Sequence, residues 1–210
     1  MNYIENVFIC LAAPLLIAVF WMKDKARRMM IFLIVGMGAC LLSSYISTFL
    51  AAVQGADYLY ASLEISPLVE ESIKLFPVLF YLLIFEPEAK DAANASIMTA
   101  IGFATFENVC FLMVNGADSI LHLLIRGFGT GTAHVVCALF ISIGTYRLWD
   151  KEWLRNVGTL ALLAVAITYH GIFNILVSGS GAVAVIGYFI PIFTIIFTRI
   201  FRKKLLAERS

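Results

Sequence analysis

Seven apolar stretches, each close to the length needed to cross a bilayer, leave this chain little freedom of fold. About 20 residues span roughly 30 Å of hydrocarbon as a helix. The stretches are Glu5–Met22, Met29–Val53, Ile65–Phe85, Ala92–Val114, Ile120–Trp149, Asn156–Ser178 and Ala182–Phe201. Hydrophobic residues make up 61% of the chain and charged ones 14%, against roughly 25% charged in an ordinary soluble domain. So apolar a chain needs lipid as its solvent. The expected fold is all-α: one polytopic membrane domain over 1–210, a bundle of about seven transmembrane helices. Gly179-Ser180-Gly181 allows only a tight turn between the last two, and the start of the overlong fifth run, Ile120–Arg126, is expected to tilt or to lie along the interface. The four cysteines, Cys10, Cys40, Cys110 and Cys137, lie in apolar runs without metal-ligand spacing and read as packing residues.

The basic residues orient the bundle. Met1 to Asn6 has no Lys or Arg, unlike the basic start of a secretory signal, so the first helix reads as retained. With the N-terminus outside, Lys23, Lys25, Arg27, Arg28, Lys90, Arg147, Lys151, Arg155, Arg199, Arg202, Lys203, Lys204 and Arg209 fall on the cytoplasmic side, and the outer loops carry none. That split matches the positive-inside rule. It implies a multi-pass protein of the cell membrane with a cytoplasmic C-terminus.

Lys74 and Arg126 do not fit that pattern, and Glu70, Glu71, Glu107, His134 and His170 also lie within apolar segments. An ionisable side chain mid-membrane costs roughly 2.5–3.5 kcal/mol on insertion scales, so such groups are expected to face one another inside the bundle. Their depths agree. Glu70 and Glu71 on the third segment, Glu107 on the fourth and His170 on the sixth each lie about two turns from the outer ends of their helices, and His134 does so with the fifth span beginning near Gly127. Four helices of opposing direction thus bring polar groups to one layer. Lys74 is i+4 from Glu70 and i+3 from Glu71, so it can lie over either carboxylate. His170 and Asn174 share a face. Arg126, Thr130 and His134 form a ridge, and the glycines of 127–131 invite close approach of another helix. A phosphate-loop reading of those glycines fails, because no strand precedes them and no Gly-Lys follows.

Each group has a plainer reading alone. The Glu–Lys pair can be a structural ion pair, His170 can serve helix–helix hydrogen bonding, and His122 fits the interface. Asn108 points about 100° from Glu107 and reads as supporting or packing, and Asn94 and Asp118 read as helix-end residues. The shared depth favours a site.

Glu70-Glu71-Ser72-Ile73-Lys74, Phe103-x-x-x-Glu107-Asn108, a lone membrane His134 and His170-x-x-x-Asn174, in this order on successive helices, resemble the PrsW family of intramembrane proteases. That family is similar in turn to the CAAX prenyl protease and bacteriocin-processing group. The resemblance covers about 65–178. The prenyl-protease branch carries E-E-x-x-x-R and F-x-x-x-H where this chain has E-E-x-x-K and F-x-x-x-E, so prenylated substrates are not implied. It does imply an endopeptidase cutting a membrane-anchored protein near the extracytoplasmic face, by association an anti-sigma factor in a site-1 step of stress signalling.

Hydrolysis needs an activated water, an oxyanion stabiliser and a proton donor. The expectation is Glu70 as general base, assisted by His134 or Glu107, with His170 and Asn174 as oxyanion donors. Lys74 holds the Glu70–Glu71 pair, and Arg126 sits at the outer rim. A metal version competes, with zinc on Glu107, His134 and His170; no H-E-x-x-H spacing supports it, and the metal-free glutamate version is preferred. The rivals are a proton- or ion-coupled transporter and a non-catalytic scaffold. The expected partners are the lipid bilayer and a membrane-anchored protein, with no nucleic acid.

Overall fold

The computed structural model describes residues 3–116, 119–148 and 152–207, without the side chains of 58, 89, 143–147 and 201–207. Asp118, Lys151 and Arg209 lie outside the described residues. The described chain is helical with short connections: α1 (Ile4–Trp21), α2 (Asp24–Gln54), α3 (Tyr58–Tyr60), a π-helical turn at Ala61–Ile65, α4 (Ser66–Phe85), α5 (Ala89–Asn115), α6 (Ile120–Leu148), α7 (Glu152–Val177) and α8 (Ala182–Ala207). Seven long helices occupy the seven apolar segments of the sequence. Six of them, α1, α2, α5, α6, α7 and α8, are long and apolar enough to cross a membrane. In α4 that apolar character is interrupted by Glu70, Glu71 and Lys74.

Helix ends follow local chemistry. Gly55, at φ +63°, ends α2 and returns its N–H to the carbonyls of Ala51 and Ala52, the left-handed stop that glycine adopts without penalty. Gly181, also at positive φ, closes the turn between α7 and α8. The fifth segment is one continuous helix of 29 residues. At ~1.5 Å per residue it is roughly 44 Å long, so its excess over the hydrocarbon is taken up by tilt or protrusion.

The π turn has a cause in the sequence. Pro67 has no N–H to give the carbonyl of Leu63, and its ring crowds that carbonyl, which opens the preceding turn. The opened turn lies one helical turn before Glu70.

The bundle packs in the manner of membrane proteins. Large apolar side chains such as Phe20, Trp21, Phe76, Phe80 and Leu83 point outward, where lipid replaces water as the favourable surroundings. Among the described residues the interior holds three apolar groups: Met37, Cys40, Phe103 and Phe106 between α2 and α5, Leu75, Cys137, Ile141 and Ala166 among α4, α6 and α7, and Val78, Leu82 and Ala92 between α4 and α5. All four cysteines are free thiols, and Cys40 and Cys137 are buried as expected of packing residues.

A close crossing joins α2 to α5. A Cβ on Gly36 would stand 2.0 Å from the carbonyl oxygen of Thr99, and one on Gly102 would stand 2.0 Å from that of Leu33. Two reciprocal glycines let the backbones touch there. In α6, Gly129 rests on Tyr188 of α8, while added Cβ atoms at Gly127 and Gly131 would meet nothing within 4 Å. The close approach expected of the α6 glycines is therefore made by Gly129 alone, because 127 and 131 share a different face.

A β-branched side chain at 102 must separate two backbones. We expect Gly102→Val to abolish the folded protein in detergent or lower its Tm sharply, whereas Gly127→Ala leaves Tm within a few degrees. Thermal unfolding followed by intrinsic fluorescence distinguishes the two.

Candidate active site

Four helices supply the polar side chains. α4 contributes Glu70, Glu71 and Lys74, α5 Glu107, α6 Arg126 and His134, and α7 His170. Adjacent carboxylates on a helix diverge by about 100°, so Glu70 and Glu71 take different surroundings. Glu71 is 1% exposed, Lys74 6%, His134 1% and His170 4%.

Glu71 organises the centre. Its Oε1 accepts from Lys74 Nζ at 2.6 Å and from His170 Nδ1 at 2.7 Å. The i,i+3 spacing of Glu71 and Lys74 makes the first contact local; the second joins α4 to α7. Lys74 Nζ also lies 2.8 Å from His134 Nδ1 and 4.8 Å above the Phe103 ring. An ammonium donates only, so His134 accepts at Nδ1 and its Nε2–H points to Glu107 Oε2, 2.6 Å away. Glu107 also receives Arg126 Nη2 at 3.4 Å, and the guanidinium stacks 3.5 Å from the Phe111 ring centre. One chain of contacts therefore runs from His170 through Glu71, Lys74 and His134 to Glu107 and Arg126.

Glu70 stands apart from that chain. His170 Nε2 is 3.7 Å from Glu70 Oε2, and this oxygen is buried without a hydrogen-bond partner. The His134 and His170 rings meet edge to face at 4.9 Å. Donor atoms of Glu70, His134 and His170 all lie within 4.8 Å of one another, a grouping suited to a metal ion. The carboxylate and two imidazoles are ligand types that zinc accepts; both ring nitrogens of His134 are engaged, by Lys74 and by Glu107, so it would ligate only on exchanging one of those contacts for the ion. The Glu71 contact fixes His170 with its Nδ1 proton engaged and Nε2 facing Glu70, the outer support common behind a ligating histidine. A lone carboxylate oxygen without a donor, next to two imidazoles, fits such an ion. Glu70 completes this trio, where the sequence suggested Glu107.

The remaining candidates have other partners. Asn174 Nδ2 donates to the carbonyl of Ser62 in the π turn at 2.9 Å, a contact the sequence did not suggest. The proline that opens the turn was its only trace. Asn108 Oδ1, Arg126 Nε and Thr130 Oγ1 are buried without partners. His122 lies near the start of α6, beside the Phe111 ring at 6.4 Å.

A cavity of about 370 Å³ opens beside the site, with Glu70, Glu107, Ser47 and Ser62 among its lining residues. On the opposite side of Glu71 and Lys74 only about 10 Å³ is free, room for one water. Leu75, Ala100, Ala138 and Ile141 line that space together with Ser96. The polar centre thus opens on the larger cavity at one side and meets mainly apolar side chains at the other, a poor fit to a transport pathway.

Removing one partner from a buried ion pair leaves an uncompensated charge and costs about 3–5 kcal/mol. Lys74→Met should destabilise the protein by about that much, and Glu71→Gln in the same chain should restore part of the loss. A double-mutant cycle on unfolding in mixed micelles measures the coupling.

Comparisons with known proteins give the chain a family. A family model described as PrsW family intramembrane metalloprotease matches residues 25–200. Protease PrsW of Clostridioides difficile (strain 630) is 25% identical over 186 residues, covering 80% of this chain and 78% of the relative. No solved structure matches. With the family match running from the start of α2 nearly to the end of α8, the chain belongs to the PrsW family of intramembrane metalloproteases.

Proposed function

We propose that Glu70, His134 and His170 hold a divalent cation, zinc by donor type, and that the site hydrolyses a peptide bond of a membrane-anchored protein near the extracytoplasmic face. The observation that carries this reading is the unpartnered buried oxygen of Glu70, set beside two imidazoles at the end of an open cavity. The family's description as metalloproteases supports it and reverses the preference for a metal-free mechanism. When bound, such an ion polarises a carbonyl and acidifies a water.

The chain's own residues have separable tasks. Glu107 faces the cavity and accepts a proton from the attacking water, its charge sustained by Arg126. It takes the general-base role that the sequence suggested for Glu70. Glu71 and Lys74 are positioning residues: they fix His170 and His134 and are withdrawn from the cavity. Asn174 ties α7 to the π turn through Ser62 and so sets the height of His170 against Glu70; its amide is engaged there and not as an oxyanion donor. The substrate class proposed is a membrane-anchored anti-sigma factor cut in a site-1 step, following the resemblance of the motifs.

The N-terminus is assigned to the outside, with the cavity opening to the extracytoplasmic face. The distribution of Lys and Arg supports this. In a background lacking the native cysteines, Asp57→Cys should react with an impermeant thiol reagent added to intact cells and Lys23→Cys should not. The reverse pattern would invert the topology.

Catalysis is tested with purified protein and a single-pass substrate. Glu70→Gln and His170→Ala should each lower kcat/KM by at least about a hundredfold, while Thr168→Ala on the lipid face leaves it unchanged. Stringent chelation should abolish turnover and zinc should restore it, with about one equivalent by elemental analysis. Full activity in metal-free protein would remove the cation from the proposal.

A further inference from the structure

Three helix ends meet where α2 begins, α4 ends and α5 begins. This is the end of the bundle that carries Lys23, Lys25, Arg27 and Arg28. A small pocket opens there, with Lys25, Arg28, Phe32, Tyr81, Asp91 and Asn94 in its lining. Lys25, Arg28, Tyr81 and Asp91 lie no more than about 6 Å along the axis from their helix ends. That is the level at which lipid headgroups border the hydrocarbon. Asp91 is the acid of this lining. Its Oδ2 accepts from Arg28 Nη2 at 3.2 Å, and its Oδ1 faces Lys25 Nζ at 3.9 Å. Two cations against one carboxylate leave one positive charge. Neither cation is used up, because guanidinium and ammonium each offer several donors and both side chains are about half exposed. Arg27, by contrast, turns its Nε to the carbonyls of Val19 and Met22 at the end of α1.

The surroundings narrow what fits. Phe32 is buried under the pocket and meets the Tyr81 ring at 5.1 Å, and Tyr81 touches the Phe85 ring at 5.7 Å. Phe85 and its neighbour Ile84 are exposed. A positive pocket therefore borders an apolar flank. An inorganic anion would use the pocket alone. A phospholipid uses both, its phosphodiester against the cations and an acyl chain against the flank, the recognition expected of basic pockets between membrane helices.

We propose that this pocket is a headgroup site for an anionic phospholipid. The phosphodiester sits between Lys25 and Arg28, the phenol of Tyr81 and the amide of Asn94 are further donors, and an acyl chain lies along Phe85. A single negative charge on the lipid closes the charge balance of the pocket. The occupant also braces α4. Pro77 has no N–H for the carbonyl of Ile73, which weakens the helix between Lys74 and Tyr81. Beyond Pro77, α4 is held to α5 through Val78, Leu82 and Ala92 and to α2 through Phe32. A lipid bridging the starts of α2 and α5 beside Tyr81 adds a further tie. This inference stands independently of the proteolytic reading.

The test uses the full-length protein, delipidated in an uncharged detergent. Phosphatidylglycerol added to the micelles should raise Tm by several degrees and saturate. Phosphatidylcholine, inorganic phosphate and glycerol 3-phosphate should leave Tm unchanged. Native mass spectrometry should show a retained phosphatidylglycerol. Lys25→Gln combined with Arg28→Gln should weaken its binding about ten- to thirtyfold, at roughly fivefold per cation near a membrane surface. Asp91→Asn breaks the same ion pairs but keeps both cations, so it should bind phosphatidylglycerol at least as tightly as wild type. That variant decides the case even where the double variant fails to fold. Arg199→Gln, exposed on α8, should bind as wild type does. Equal stabilisation by inorganic phosphate or glycerol 3-phosphate overturns the lipid in favour of a soluble anion. The site is overturned by equal stabilisation with phosphatidylcholine, by no response to phosphatidylglycerol, by weaker binding in Asp91→Asn, or by an Arg199→Gln loss matching that of the double variant.

Discussion

A single carboxylate oxygen organises the centre of this protein. Glu71 Oε1 receives the ammonium of its own helix neighbour Lys74 and the imidazole of His170. In lipid neither acid nor base is tolerated alone, and the insertion cost of each is offset only by the other. The arrangement fixes the rotation of α4 about its axis, since turning it would bring Glu71 and Lys74 into hydrocarbon. It also sets the angle of α7, because His170 must meet the same oxygen. With Glu71 turned inward, its neighbour Glu70 is directed elsewhere, toward the cavity. The ion pair that stabilises the bundle thereby leaves a second carboxylate free for chemistry.

The geometry divides the labour among residues that look alike in sequence. Glu70 and Glu71 are adjacent and identical, yet one is fully engaged and the other has an unpartnered oxygen. His134 and His170 differ in the same way: one is bridged between Lys74 and Glu107, and the other is anchored on Glu71 with its second nitrogen facing Glu70. Beneath Lys74 the neighbours are mainly apolar, with Leu75 and Ile141 in one cluster and Val78 and Leu82 in the next.

Most of the architecture could be read from the order of residues, because hydropathy and charge act over lengths of about 20 residues and leave a strong one-dimensional trace. The convergence of Glu70, Glu71, Glu107, His134 and His170 was also legible, since topology and rise per residue place them near one depth, with Lys74 joined to the pair by its spacing along the helix. Side-chain direction was less so. The choice of Glu70 over Glu107 beside the two histidines depends on helix rotation, which spacing along one helix does not define. The engagement of Asn174 with Ser62 depends on the π turn, a local response to Pro67 visible only once the backbone is traced. The Gly36–Gly102 crossing was missed for a similar reason: the two glycines lie 66 positions apart and signal nothing until α2 and α5 are paired.

The first helix has a looser relation to the rest. α1 buries only Ala12, rests on the seam of α2 and Phe106 through Phe8 and its neighbours, is tied near its start by a Tyr45–Glu5 hydrogen bond, and precedes the stretch matched by the family. It gives none of the acids or bases of the centre, though its Ile4 lines the cavity beside Glu70 and Glu107. Mutational drift on its outward face, at Ile9, Leu16, Ile17 and Phe20, can therefore remodel that outer stave, and with it the lipid or protein it greets, without replacing a residue that touches the polar centre.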